Sequence, residues 1–296
     1  MPVSLVFGAS GAIGRFLVPR LLDAGHQVIA VSRAPRASTR QNLRWIVGTL
    51  PDFVAPPLEI DTIFSLGPLD AFARWFSESR DVRARIVAMG SLSAKTKSQS
   101  VDAHERDLAA RLVDAERALV AAADARGCAS TVLRASLIYG AGLDRSLTPI
   151  VRFAQRWRVF PSVIGAHGLR QPVHAEDLAA ACAGIAGRPA LARRSYDVGG
   201  GERLAFDAML ARVRASLAVA TMPLPVPFAL ARAGAGLARH MPSFAAATPA
   251  ALQRLNQDLV VDHAAAVSDF GWAPRLNKAP IRFDLIVVGA GWVTQA

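Results

Sequence analysis

The stretch Gly8-Ala9-Ser10-Gly11-Ala12-Ile13-Gly14 decides the fold. Its three glycines, three residues apart, follow the short apolar run Val3–Phe7. They open Ala12–Ala24, whose apolar residues recur with helical periodicity and stop at Gly25. A strand running into such a turn and then a helix is the arrangement that seats a pyrophosphate. Gly8 lets the chain turn sharply, Gly11 removes a Cβ so that backbone N–H groups can approach the phosphates, and Gly14 lets the helix pack close to the sheet. The positive end of the helix then faces the anion. Ser10, Ala12 and Ile13 are expected to line the same cradle.

Outward from this turn the same rhythm continues. Gln27–Val31, Leu43–Val47, Thr62–Ser65, Arg85–Met89 and Ser130–Tyr139 read as strands, and Ala71–Ser79 and Ala103–Arg126 as helices. Alternation of this kind implies a parallel sheet covered by helices on both faces. Leu66 and Gly67, just past the fourth strand, are expected beside the bound dinucleotide. Pro19, inside the first helix, is expected to kink it. Further on, Leu147–Trp157, Glu176–Ile185, Leu204–Leu217 and Phe228–Ala238 read as helices, Gln171–His174 as extended and Tyr196–Val198 as a strand. Met222–Phe228, with Pro223, Pro225 and Pro227, reads as a stiff connector. Leu285–Val293 is apolar, short and interrupted by glycine, and has no place in this scheme.

Of 296 residues, 52% are hydrophobic and 19% charged, which excludes disorder for most of the length. Lys and Arg total 34 against 23 acids, a net charge of +11, yet only Lys95, Lys97 and Lys278 are lysines. An anionic partner or a codon bias toward Ala and Arg both account for this. The arginines are scattered, with no like-charge run longer than two, so nucleic acid is not expected. The two cysteines, Cys128 and Cys182, form no metal-ligand spacing. No basic, apolar leader precedes Val3, and no uncharged apolar run reaches 18 residues. A cytoplasmic protein without a membrane span is expected.

The second strand ends at Ser32-Arg33. A site preferring NAD would place Asp or Glu here for the adenosine ribose. Arg33, with Arg36 and Arg40 behind it, cannot accept those bonds but pairs well with a 2′-phosphate, so NADP(H) is favoured over NAD(H). A solvated surface arginine is the alternative.

Four stretches carry a resemblance to a family: Gly8–Gly14, Val87-Ala88-Met89-Gly90-Ser91, Leu133-Arg134-Ala135-Ser136-Leu137-Ile138-Tyr139-Gly140, and Arg170-Gln171-Pro172-Val173-His174-Ala175-Glu176-Asp177-Leu178-Ala179. Tyr196-Asp197-Val198-Gly199-Gly200 and Phe270-Gly271-Trp272-Ala273-Pro274 echo later elements. The chain resembles an atypical, extended short-chain dehydrogenase/reductase of the NAD-dependent epimerase/dehydratase (nucleoside-diphosphate-sugar epimerase) family over about residues 3–275. The resemblance implies an α/β fold: a Rossmann-like doubly wound parallel sheet with a smaller C-terminal region that covers substrate. Residues 1–140 and 169–200 would form the core, and 141–168 and 201–296 the covering region. It implies a small, phosphate-bearing substrate, with a homodimer allowed. By position Arg170 would contact a substrate phosphate, with Ser136 and His174 nearby. His174 and Asp177 serve equally well to orient a helix start.

The pattern breaks where this family does proton chemistry. Its members use Tyr-x-x-x-Lys with a Ser or Thr, the Lys lowering the Tyr pKa. Neither Tyr139 nor Tyr196 is followed by Lys four residues on. Glu116 occupies the place of a Glu that usually lies four residues after the motif Lys, which puts the motif at Leu108 and Leu112. Thr49-Leu50 also stands where Asp-Leu is common. Ser91 occupies the place of the catalytic hydroxyl, near Ser93, and Lys95 and Lys97 follow within seven residues. Ser91, Lys97 and Tyr139 are therefore the catalytic candidates, with His104 and Glu105 as further ones; a solvated loop at Ser91–Ser100 is the plainer reading. Two functions remain open: an NAD(P)-dependent oxidoreductase or epimerase acting on a nucleotide-sugar-like substrate with a non-standard acid/base, or an inert NADP(H)-binding redox sensor or accessory protein.

Overall fold

A computed structural model describes residues 1–276 except 39, 145, 192–193 and 239–248. The apolar stretch Leu285–Val293 and Lys278 lie outside the described residues. Seven strands form one parallel sheet: β1 (Val3–Phe7), β2 (Gln27–Ser32), β3 (Leu43–Val47), β4 (Thr62–Ser65), β5 (Arg85–Ser91), β6 (Ser130–Ala135) and, much later, β11 (Arg194–Val198). Their order is β11-β6-β5-β4-β1-β2-β3, so the chain winds outward in both directions from the boundary between β1 and β4. This is the doubly wound α/β sheet expected from the sequence.

Helices α1 (Gly14–Asp23) and α6 (Ala175–Ala186) pack together on one face, where Leu17, Leu21, Leu178 and Cys182 are fully or almost fully buried with Val6 and Leu133. Helices α2 (Leu69–Glu78) and α4 (Ala103–Ala125) cover the other, with Phe72, Trp75, Phe76 and Leu119 packed on Leu5, Ile63 and Ile86. Only a sheet buried on both faces accounts for near-continuous burial along β1, β4 and β6. Pro19 lies inside α1.

The expected strand Ser130–Tyr139 is two strands. After Ala135 the backbone leaves the sheet: the Ser136 N–H donates to the Val198 carbonyl (3.0 Å) and its hydroxyl to the Gln171 carbonyl. Ile138–Tyr139 (β7) then pairs with Val173–His174 (β10). Leu169–Arg170 (β9) pairs antiparallel with Leu204–Ala205 (β12), which precedes α7 (Phe206–Ala215).

The smaller lobe holds α5 (Thr148–Trp157), β8 (Val159–Ile164), α7, β13 (Met222–Pro227), α8 (Phe228–Ala238) and α9 (Pro249–Gln253), with cores around Phe160, Val151 and Met209 and around Leu252 and Leu255. The expected proline connector is β13, paired in parallel with β8. Its prolines alternate, so Pro223, Pro225 and Pro227 lack only the N–H groups of the unpaired edge; Met222 donates toward β8, to the Arg158 carbonyl at 2.8 Å. The segment carrying α10 (Ala264–Phe270) packs on the sheet core and not in this lobe: Ala266, Phe270 and Trp272 join Tyr196 and Val198, and the Trp272 indole N–H donates to the Gly199 carbonyl at 3.1 Å.

Candidate functional site

The crevice outside the carboxyl ends of β1 and β4 is where the strand order reverses, and the glycine turn lies there. Gly8 adopts φ +75°, a left-handed conformation that side chains rarely take. A Cβ on it would stand 3.1 Å from the Leu66 carbonyl carbon, so this turn lies against the chain leaving β4. At Gly14 a Cβ would sit 2.3 Å from the Gly8 carbonyl oxygen and 2.4 Å from that of Ala9. Helix α1 can begin there only without a side chain. Gly11 donates its N–H to Gly8 (2.9 Å), which closes the turn. Among the described residues the N–H groups of Ala12 and Ile13 find no acceptor in the protein, and α1 has neither a capping side chain nor an acid in its first turn. Unpaired adjacent amides at the positive end of a helix fit a pyrophosphate. At Gly67 a Cβ would meet nothing within 4 Å, so the chain beside the turn is open there.

At the end of β2, Arg33 and Arg36 are exposed, and neither has an acidic partner among the described residues. The Arg36 guanidinium lies 5.4 Å from the Trp45 ring centroid. Arg40 instead pairs with Asp23 (3.0 Å).

Farther along the sheet the charged groups are satisfied by one another. Ser91, the last residue of β5, accepts the Ser93 N–H at 3.1 Å. Lys95 pairs with Asp197 at 2.5 Å. Lys97 lies 3.3 Å from the Glu105 carboxylate, which also accepts from the Ser100 hydroxyl (2.7 Å) and pairs with Arg254. Burial, and then the Arg254 charge, hold the Lys97 ammonium below its ordinary pKa, opposed by Asp102. A polar groove of about 490 Å³ runs between this loop and α9, lined by Lys95, Ser98, Gln99, Gln253 and Arg254. His104 is exposed, and its N–H is capped by Asp102 (2.8 Å) at the start of α4.

Tyr139 is buried, with its ring edge-on to His174 (centroids 5.2 Å apart). Burial, and then Asp177, push its pKa up to about 12. His174 caps α6, its Nδ1 accepting the Glu176 N–H at 3.2 Å, and Asp177 holds the Arg275 backbone N–H (3.0 Å) and Nε (2.8 Å). Of the two roles open to this pair, orienting a helix start is the one His174 performs.

Arg170 departs from the expected open phosphate contact. It is buried, and its NH1 and NH2 groups donate to the carbonyls of Leu169 (2.9 Å), Gln257 (2.7 Å) and Arg254 (2.7 Å), above the Phe206 ring. Burial lowers its pKa to about 10. Here it clasps the 254–257 segment to β9. Ser136 is likewise spent on the Gln171 carbonyl.

Leu108 and Leu112 lie half-buried on α4, outside the four packed apolar clusters. One turn on, Glu116 is buried and takes a bidentate clamp from Arg134 of β6, whose NH1 also reaches Asp197 (3.2 Å); the Ser195 hydroxyl donates to the same carboxylate. Lys95, on the single turn α3 (Ser93–Thr96) that follows β5, and Asp197, Arg134, Glu116 and Ser195 thus form one polar chain joining that turn to β6, β11 and α4. Sequence reading used Glu116 only as a position marker. The available signal was Arg134, a charge inside the otherwise apolar run Val132–Ala135.

Residues 4–92 match the model of the NAD dependent epimerase/dehydratase family. No curated protein sequence matches the chain significantly. Among solved structures, the chain is similar to MoeE5 in complex with UDP-glucuronic acid and NAD (20% identity, 93% of this chain and 94% of that one, TM-score 0.67). It is similar to UDP-glucose 4-epimerase from Thermotoga maritima with UDP-glucose (15% identity, 96% and 97% covered, TM-score 0.67). A third is UDP-N-acetylglucosamine 4-epimerase from Bacillus cereus (13% identity, 95% and 97% covered, TM-score 0.68). Residues 4–92, with their glycine turn at the switch point of the sheet, thus resemble the NAD-dependent epimerase/dehydratase family, and over 93–96% of its length the chain shares the fold of these nucleotide-sugar enzymes.

Proposed function

We propose that the chain is an NADP(H)-dependent oxidoreductase or epimerase acting on a small nucleotide-sugar-like substrate, without the Tyr-x-x-x-Lys pair. The observation that carries the reading is the turn itself: Gly8, Gly11 and Gly14 in place at the strand reversal, with the Ala12 and Ile13 amides unpaired among the described residues. Those amides would hold the pyrophosphate, with Leu66 and Gly67 alongside, and Arg33 and Arg36 would hold a 2′-phosphate. The nicotinamide, when bound, supplies hydride acceptance and donation. Ser91, at the carboxyl end of β5, would orient a substrate oxygen. Tyr139, with its pKa near 12, keeps its proton at neutral pH and can donate a hydrogen bond but not act as a base. Lys97 has the lowered pKa of a candidate acid/base, but it would have to leave Glu105 to serve. That the similar structures hold UDP-sugars and NAD supports the substrate class; the preference for the phosphorylated cofactor rests on Arg33 and Arg36 alone.

A second reading, cofactor binding without turnover, is favoured by one observation: Leu108 and Leu112 cannot transfer a proton. The test is to screen NADPH oxidation and UDP-sugar conversion, then make Ser91→Ala, Lys97→Ala, Tyr139→Phe and the double variant Leu108→Tyr/Leu112→Lys. For the enzyme, loss of a proton-transfer group lowers the rate roughly 10²–10⁴-fold. Tight NADPH binding with turnover only in the double variant establishes the inert reading. Absence of cofactor binding defeats both.

A further inference from the structure

The arginines are scattered, but the acids are not. No Asp or Glu occurs in residues 145–175 or in residues 208–257, while these two stretches contain ten arginines. The rest of the chain holds 24 basic residues and 23 acids, so nearly all of the net +11 belongs to these two stretches. They build most of the smaller lobe: α5, β8, β13, α8 and α9. A codon bias toward arginine adds bases everywhere and does not clear acids from two stretches that fold together.

The same lobe exposes its large apolar side chains. Trp157, Met222, Leu224 and Leu230 are each 46–65% accessible. Trp157 ends α5 two residues before β8, and the Met222 N–H bonds to the intervening Arg158. Leu224 lies on the same side of β13 as Met222, and Leu230 follows on α8. The rim is cationic. Arg156 stacks on the Trp157 ring at 5.2 Å, and Arg158 holds the left-handed turn that ends α5 (φ 59°). Neither has an acidic partner among the described residues. Other arginines of these stretches are engaged internally: Arg170 on carbonyls, Arg212 on Glu202, Arg254 on Glu105.

We infer that this face of the small lobe docks on an anionic phospholipid surface. Exposed Trp, Met and Leu enter the headgroup boundary while unpaired arginines meet phosphate and carboxylate headgroups, the combination used by proteins that lie on a bilayer without spanning it. None of the helices among the described residues is long and apolar enough to cross a membrane. A nucleic-acid surface would match the charge but leaves the exposed Met222, Leu224 and Leu230 unused. The inference does not depend on the catalytic reading.

The experiment is co-sedimentation of the full chain with vesicles of phosphatidylcholine containing 30% phosphatidylserine, against pure phosphatidylcholine vesicles and a duplex DNA of mixed sequence. Binding to the anionic vesicles alone is expected, falling as salt rises. Arg156→Gln/Arg158→Gln should lower the partition coefficient about 25-fold, at roughly 1 kcal/mol, or fivefold, per arginine. Trp157→Ser and Leu224→Ser should weaken it as well, while Val54→Ser, more exposed still at 85% but on the sheet domain, should not. Cofactor titration and circular dichroism check that each variant is folded. No binding to the anionic vesicles, equal binding to neutral ones, or indifference to Trp157→Ser and Leu224→Ser overturns the inference. DNA binding that survives the apolar substitutions assigns the charge to nucleic acid instead.

Discussion

The two ends of the crevice differ in what they leave unfinished. At the β1–β4 end, among the described residues, the backbone amides of Ala12 and Ile13 have no acceptor, Arg33 and Arg36 have no acid, and glycines keep the surface low. At the β5–β6 end, Lys95, Lys97, Glu105, Glu116, Arg134, Asp197 and Arg170 are bonded to one another or to carbonyls. The first end is complementary to an anion. The second is electrostatically closed, so a substrate there must displace an existing pair or make do with hydroxyls and backbone. Fold and cofactor class are legible at the open end for this reason, and reaction type is not legible at the closed one.

Four substitutions would sharpen or break this contrast. The largest effect is expected at the closed end. Glu116→Ala leaves Arg134 without its clamp and should destabilise the fold by about 3 kcal/mol, with cofactor affinity unchanged in the folded fraction. Chemical denaturation beside cofactor titration measures both; a loss of affinity without loss of stability would place Glu116 at the ligand instead.

Gly11→Val should do the reverse, lowering cofactor affinity by at least about 100-fold while the fold survives. A Cβ there meets only the Gly8 carbonyl oxygen, at 3.1 Å, a contact that a small adjustment relieves. Retained affinity in a folded variant puts the cofactor elsewhere.

Next is a pH effect. Tyr139 titrates at 10 when unfolded and near 12 in the fold, so between these values the native state holds a proton that the unfolded state has lost. The stability associated with its neutral phenol is present below pH 10 and drains away as pH rises toward 12, by about 2 kcal/mol. Thermal melts from pH 9 to 12 should show a flatter decline for Tyr139→Phe than for the parent chain. The smallest effect is Arg33→Ala, expected to weaken NADPH binding about tenfold, equivalent to ~1.4 kcal/mol, and to leave NADH binding alone. Equal losses for both cofactors would remove the case for a 2′-phosphate contact.

What the sequence made legible follows from how each feature is encoded. The sheet strands were readable because a strand buried on both faces is an unbroken apolar run, as in Val28–Val31 and Ile86–Met89. The turn was readable because Gly14 is the only kind of residue that fits 2.3 Å from a carbonyl. β13 was hidden because its prolines report only the unpaired edge, and β8 because Pro161 interrupts it. The end of the strand at Ala135 was hidden because Ser136 takes its partners from residues 171 and 198. Arg170 was expected at a substrate phosphate because of its place in the resembled motif. Two of its three acceptors are backbone carbonyls 84 and 87 residues away, and no side-chain pattern announces those.

The alternating prolines of β13 have one more consequence. A parallel strand with a bare outer edge would present a ladder to any extended chain that met it, its own copies included. Here that ladder has no rungs at Pro223, Pro225 and Pro227, so strand addition stops at β13. Replacing the three prolines with alanine would restore the missing donors and turn the lobe into a template for growth. As it stands, whatever this lobe touches it must hold by side chains, and it can present Trp157, Met222 and Leu224 to its surroundings without recruiting its own kind into a sheet.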